Sequence, residues 1–144
     1  MDSFDRQIAD FVKALENKQK KAEADSLKFV RMSCAKVEGT AKEIMRDTIT
    51  DPEIVYGKRG HHPSKPGNPP AVDTGTLRQS ISHSIEVQNG KAIGYVGSST
   101  IKNPEYPKWL EYGTSKMAPR PWLSTSLIKC QSWMANLWKE IFKK

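Results

Sequence analysis

Ile81-Ser82-His83-Ser84-Ile85-Glu86-Val87-Gln88, then Asn89-Gly90, then Lys91-Ala92-Ile93-Gly94-Tyr95-Val96, is the stretch whose reading decides the fold. Larger side chains at Leu77, Ile81, His83, Ile85 and Val87 alternate with Ser80, Ser82, Ser84, Glu86 and Gln88. A period of two puts each set on its own face of a strand. Asn-Gly is favoured at a two-residue hairpin turn because both positions need positive φ. A turn there pairs Val87 with Ala92, Ile85 with Gly94 and His83 with Val96 on one sheet face. Ile93 and Tyr95 then share the other face with Glu86 and Ser84, which points to cover by a helix or a second subunit.

Upstream, Phe4, Ile8, Phe11 and Leu15 recur at helical spacing, and Leu27, Val30, Cys34, Val37, Ala41 and Ile44 form a second series. Extending the first series by the same steps misses the second, so a break, bend or stutter is expected between Lys18 and Asp25. Residues 1–50 therefore read as N-terminal helices, ended at Thr50-Asp51-Pro52 because proline disfavours helical geometry in the residue before it. Residues 51–74 hold Pro52, Pro63, Pro66, Pro69 and Pro70 with Gly57, Gly60 and Gly67, and read as a long loop. Lys58, Arg59, His61, His62 and Lys65 in that loop are candidates for contact with DNA or a protein partner. Two adjacent histidines alone are weak evidence for a metal.

Downstream, Tyr106-Pro107-Lys108-Trp109-Leu110-Glu111-Tyr112-Gly113 reads as a short aromatic helix with proline in its first turn and glycine at its C-terminal cap. Leu123, Leu127, Cys130, Met134, Leu137 and Ile141, flanked by Trp133, Trp138 and Phe142, make a long amphipathic closing helix. The whole is an α+β chain, a single domain over 1–144, with a small antiparallel sheet between helices.

Composition narrows the function. The net charge of +7 is concentrated in residues 107–144, which carry seven Lys/Arg against two Asp/Glu. Such a face suits nucleic acid, an acidic protein partner or plain solvation. Cys34 and Cys130 fall on apolar helical stripes far apart in sequence, and read as small core residues rather than a bridge or metal site. No apolar run approaches a bilayer span, and the start lacks a basic region followed by an apolar one, so a soluble chain without membrane contact is expected.

Asp73-Thr74-Gly75 is also the tripeptide of aspartic proteases, where two carboxylates share a proton across a dyad. That chemistry needs the aspartate between buried apolar strands. Pro69-Pro70-Ala71-Val72 before it and Thr76-Leu77-Arg78 after it do not supply them. A tight turn, with Asp73 and Thr74 accepting backbone hydrogen bonds ahead of a strand, is the simpler reading. His83 sits at a core-facing strand position. No phosphate-binding loop, nucleophile elbow or zinc-protease motif occurs, so neither an enzyme, a cofactor nor a small-molecule substrate is expected.

Three blocks in fixed order carry a resemblance: Val72 to Ile81, Tyr106 to Thr114, and Met117-Ala118-Pro119-Arg120-Pro121-Trp122-Leu123 before the last helix. Together, with Gly94-Tyr95-Val96-Gly97 between the first two, they resemble the gene-product-ten tail-component family of lambdoid long-tailed phages. The approach to Asp73 is longer and richer in proline and histidine than that pattern. The resemblance implies a structural virion protein of a phage or prophage, made in the bacterial cytoplasm and placed at the neck or tail. It would complete the tail or join head to tail as a homo-oligomeric ring against adjacent neck or tail proteins. Asp73, Gly75, Leu77, Arg78, Glu111, Gly113, Thr114, Arg120 and Pro121 are its motif positions, structural in purpose. Glu111 lies among apolar neighbours and needs a partner, for which Arg78 or Arg120 is expected. Pro121 is expected in the first turn of the last helix. The alternative is a nucleic-acid-binding module using the basic loop and the C-terminal helix. The two overlap if Lys58, Arg59 and Lys65 line a channel for DNA.

Overall fold

The computed structural model describes residues 2–99 and 102–143. One helix, α1, runs from Ser3 to Arg46. Its start is fixed by a capping box in which Asp2 accepts from the first turn and Asp5 accepts from the Asp2 backbone N–H. The expected break between Lys18 and Asp25 is absent. No proline interrupts the run, and Gly39 sits where an added Cβ would meet nothing. The shift of the apolar stripe marks a change of environment instead. Phe4, Ile8, Phe11, Val12 and Leu15 are exposed, whereas Cys34, Val37, Ala41, Ile44 and Met45 are buried. The second half of α1 is the spine of the domain, and the first half projects from it as an arm of roughly 30 Å at 1.5 Å per residue.

After α1 the chain runs irregularly through residues 47–75, pinned by isolated antiparallel bridges Thr50 to Ser64 and Tyr56 to His61. A short helix, α2, spans Thr76–Ser80, followed by β1, Ile81–Gln88, and β2, Lys91–Ser98. Leu77 to Ser80 are thus helical rather than the start of the strand. Leu77 satisfies either period, and Gly75 at φ 80° opens the turn.

The two strands form an antiparallel sheet whose register matches the one expected from Asn89-Gly90, with Val87 opposite Ala92, Ile85 opposite Gly94 and His83 opposite Val96. Asn89 and Gly90 have φ of 50° and 73°, the signature of a type I′ turn. The His83 face lies on α1. At its centre Gly94 lets the helix approach so closely that an added Cβ would overlap Cys34 Sγ and lie 2.8 Å from Val30 Cγ1. His83 Nδ1 meets Glu38, which also binds Lys42. These contacts hold the Glu38 carboxyl below its ordinary range, the Lys42 hydrogen bond first and His83 second. On the opposite face Ile93 and Tyr95 remain exposed among the described residues.

Helix α3, Tyr106–Tyr112, has proline in its first turn and Gly113 at its C-cap, as its sequence requires. Helix α4, Leu123–Ile141, packs along the second half of α1. Ala41, Met45, Ile81, Leu110 and Trp122 form the core cluster, with Leu77, Met117 and Leu123 against it. Fully burying a side chain of the size of Met45, Ile81 or Leu110 is worth about 1.5–3 kcal/mol of transfer free energy. Both cysteines are buried and free, as read. Cys130 donates to Thr40 Oγ1, and burial pushes the Cys34 thiol up. Trp138 stacks edge-on with Phe29 and tilts against Phe142, closing the far end of the α1–α4 pair.

Candidate functional site

The corner between α3 and α4 is built by the second and third sequence blocks. Helix α4 starts without a capping side chain of its own, since Trp122 stands at its N-cap. Glu111 of α3 fills that role. Its Oε2 accepts the backbone N–H groups of Trp122 and Leu123 at 2.8 and 2.9 Å, and Oε1 accepts that of Ser124 at 2.9 Å. A helix N-terminus leaves backbone donors unpaired and carries positive partial charge, so a carboxylate is the fitting acceptor. Burial pushes the Glu111 carboxyl up, but hydrogen bonds from Ser124, Leu123 and Trp122 outweigh it and hold the group below its ordinary range.

The partner of Glu111 is therefore the end of a helix and not Arg78 or Arg120. Those arginines clip distant backbone instead: Arg78 Nε donates to Lys42 O at 3.2 Å and Arg120 Nε to Ser64 O at 3.1 Å. Pro121 precedes the N-cap and lies outside the first turn of α4, where its carbonyl accepts from Thr125 Oγ1. Gly113, at φ 76°, leaves no room for a Cβ, which would sit 2.8 Å from Met117 O. Thr114 then pairs with Met117 through the backbone. Trp122 Nε1 donates to Pro107 O, tying α4 back to the start of α3.

The first block lines a cleft of about 290 Å³ between Pro70–Arg78, the end of α1 and the segment Lys102 to Tyr106. Thr74 Oγ1 accepts from Thr76 N and shares a hydrogen bond with the Thr76 hydroxyl, as a turn residue should. Asp73 is exposed and makes no hydrogen bond among the described residues, so the expected acceptor role falls to Thr74 alone. Across the cleft Tyr106 has its phenol pushed up by burial first and by the Asp73 carboxylate second, with Arg120 opposing.

The basic loop residues divide. Lys58 and Arg59 are exposed at the tip of the turn closed by Tyr56 and His61, and Lys65 is exposed farther along. His61 is half-buried in a second cleft of about 470 Å³ beside Ser64 and Arg120. His62 Nδ1 faces two acceptors, Asp51 O at 3.3 Å and Ile54 O at 3.0 Å, so it carries its proton there and staples the loop.

No nucleophile stands in hydrogen-bond reach of a histidine or carboxylate base in either cleft among the described residues. No group of three or more His, Cys, Asp or Glu among them could hold a metal ion. No described helix is long and apolar enough to cross a membrane. The residues that converge at the α3–α4 corner do one kind of work, which is to hold backbone in place. Sequence reasoning marks Glu111 and Arg120 but misses what they bind. It names Gly94 without the contact with α1 that makes it matter, and it misses Ser64, whose carbonyl accepts from Arg120. Comparison with family models, curated proteins and solved structures finds no match to this chain.

Proposed function

We propose that this chain is a structural virion protein of a long-tailed phage or prophage, a neck or tail-completion subunit that works by assembling into a ring. The observation that carries the reading is the division of α1. A helix half that buries no side chain within its own domain still presents Phe4, Ile8, Phe11, Val12 and Leu15 at helical spacing. An apolar stripe of that length on a charged helix is a surface for another polypeptide. The order of the three sequence blocks supports the phage assignment, and their interlocking around Glu111 and Arg120 suits a part whose task is to keep a shape. Closed rings arise when one subunit surface complements a different surface of the next and the rotation closes.

The test uses the full chain with Phe4→Ser and Phe11→Ser together. Both residues are about two-thirds exposed, so the thermal midpoint is expected to stay within about 2 °C of the parent, the range for surface changes. Oligomer mass by light scattering is expected to fall to that of the monomer, and incorporation into tails to fall by about tenfold or more. Normal head-to-tail joining in particles lacking the protein would end the reading.

A second reading, contact with DNA through the same assembly, is favoured by the placement of Lys58 and Arg59 at the exposed tip of the Tyr56–His61 turn. Contacts of that kind track phosphates without base preference and weaken with salt. Lys58→Glu with Arg59→Glu is expected to reduce the salt slope of duplex binding by about two, one for each phosphate that is no longer neutralised. An unchanged slope would remove these residues from any DNA path.

A further inference from the structure

Among the described residues the sheet has two strands, and both of its long edges are open. Because Asn89 and Gly90 form a two-residue turn, Gln88 and Lys91 are the first hydrogen-bonded pair, and the pairs alternate from there. Ser99 N donating to Ser80 O continues the same alternation at the other end. His83, Ile85 and Val87 on β1, and Ala92, Gly94 and Val96 on β2, therefore turn their N–H and C=O groups outward. None of those groups finds a partner elsewhere among the described residues. No proline and no bulge, two of the devices that block pairing, interrupts either strand.

The β2 edge has a second feature. On the α1 side of the sheet, a cleft of about 280 Å³ lies between β2 and α4, walled by Gly94, Val96, Leu127 and Met134, with Ser33 and Val37 of α1 also lining it. No β1 residue lines it, so it opens on the far side of β2 from its own partner strand. Its lining is almost wholly apolar. Ser33 Oγ within it is buried with no hydrogen-bond partner among the described residues. A strand added to the β2 edge would continue the sheet over this cleft and drop alternate side chains into it.

We propose that β2 and the cleft beside it receive β1 of a second copy of this chain, so that the hairpins of neighbouring subunits join edge to edge. Strand β1 has the required alternation: Ile85 and Val87 point to the α1 side, while Ser82, Ser84, Glu86 and Gln88 point away. In the single chain Val87 is 59% exposed and Ile85 is half-buried, leaving apolar surface to cover. Charge selects this pairing over its alternatives. Of Asp, Glu, Lys and Arg, strand β1 carries Glu86 alone and β2 carries Lys91 alone. In the hairpin's own register, β2 against β1 sets Lys91 diagonal to Glu86 on one face, whereas β1 against β1 or β2 against β2 brings no carboxylate beside a lysine. The contact is antiparallel, leaves the joined pair with one open β1 edge and one open β2 edge, and closes only when the last hairpin meets the first. It rests on the ring reading above and adds a second contact between neighbouring subunits, needed for closure together with the α1 arm.

The experiment blocks one edge at a time in the full chain. Ala92→Pro removes an outward N–H from β2, and Val87→Pro removes one from β1, at positions whose N–H groups the hairpin itself does not use. Leu127→Asp, at a side chain 47% exposed, charges the cleft without touching either strand. The parent is expected to form a closed oligomer by native mass spectrometry, and each variant alone to run at monomer mass with an unchanged far-ultraviolet circular dichroism spectrum. Mixing Ala92→Pro with Val87→Pro is expected to restore one junction and give twice the monomer mass, because each supplies the edge the other lacks. A parent ring that persists in folded Ala92→Pro and Leu127→Asp variants would overturn the edge assignment and leave the ring reading standing. So would a mixture that stays monomeric. A parent that is monomeric at every concentration would overturn both. If a proline variant misfolds, the mass of Leu127→Asp alone decides.

Discussion

Replacing Glu111 with alanine is expected to lower stability by about 2–4 kcal/mol, or roughly 5–15 °C in thermal midpoint for a chain of this size. The carboxylate takes three backbone N–H groups at the start of α4, and no other side chain caps that end. Removing it leaves donors unpaired at a corner that also contains buried Trp122, where water is a poor substitute. Glu111→Gln keeps the Oε1 acceptor geometry but turns an amide N–H toward donors, and is expected to lose about half as much. The pH dependence has a fixed sign. The folded-state pKa lies below the unfolded one, so this contribution is fully present above the ordinary glutamate range and fades as pH falls through the lowered folded value. Denaturant melts of parent and Glu111→Gln should therefore converge in acid and separate toward neutrality. Parallel curves at all pH values would show that the negative charge contributes nothing to the cap.

What can be read from sequence follows from the range of the interaction involved. The hairpin is legible to the residue because its register is set by a two-residue turn, a local device. The α3 boundaries are legible for the same reason, with Pro107 and Gly113 at its two ends. Periodicity alone misleads in two places. The apolar stripe of α1 changes face near Lys18, which reads as an interruption if every apolar stripe is assumed to face a core, and here the first stripe faces no part of its own domain. Leu77 fits both a strand and a one-turn helix, and only the fold decides between them.

The motif residues show a further limit. A carboxylate among apolar neighbours announces that it needs a donor, and arginine is the donor a sequence displays by name. The backbone N–H groups at a helix start have no letter of their own, so sequence matches Glu111 to Arg78 and Arg120 rather than to Trp122, Leu123 and Ser124. The two arginines in turn bind carbonyls of Lys42 and Ser64, which are equally anonymous in a sequence. Block order can be read directly, but the reason for it is that α3 caps α4, a relation between backbones.

Gly94→Ala is expected to be the most damaging single methyl in the sheet, costing about 1–3 kcal/mol through overpacking against α1. The new Cβ would overlap Cys34 Sγ and press on Val30 Cγ1, both on the spine helix, so relief requires α1 to lift from the hairpin or Cys34 to leave its place. Glycine in a strand is ordinarily a weakness, and at Gly97, where an added Cβ meets nothing, alanine should be neutral or slightly stabilising. Opposite outcomes at two glycines so close on one strand would separate packing from strand propensity. The cause can be narrowed further with Cys34→Ala. That change alone removes a buried sulfur and is destabilising, but in the Gly94→Ala background it opens the space the new methyl needs. The double variant should therefore be more stable than the sum of the single losses by about 1 kcal/mol or more, the coupling expected of residues in direct contact. Strict additivity, or a Gly94→Ala chain that melts with the parent, would mean that the hairpin does not rest on α1 at this point. The helix would then be free to choose its distance from the sheet.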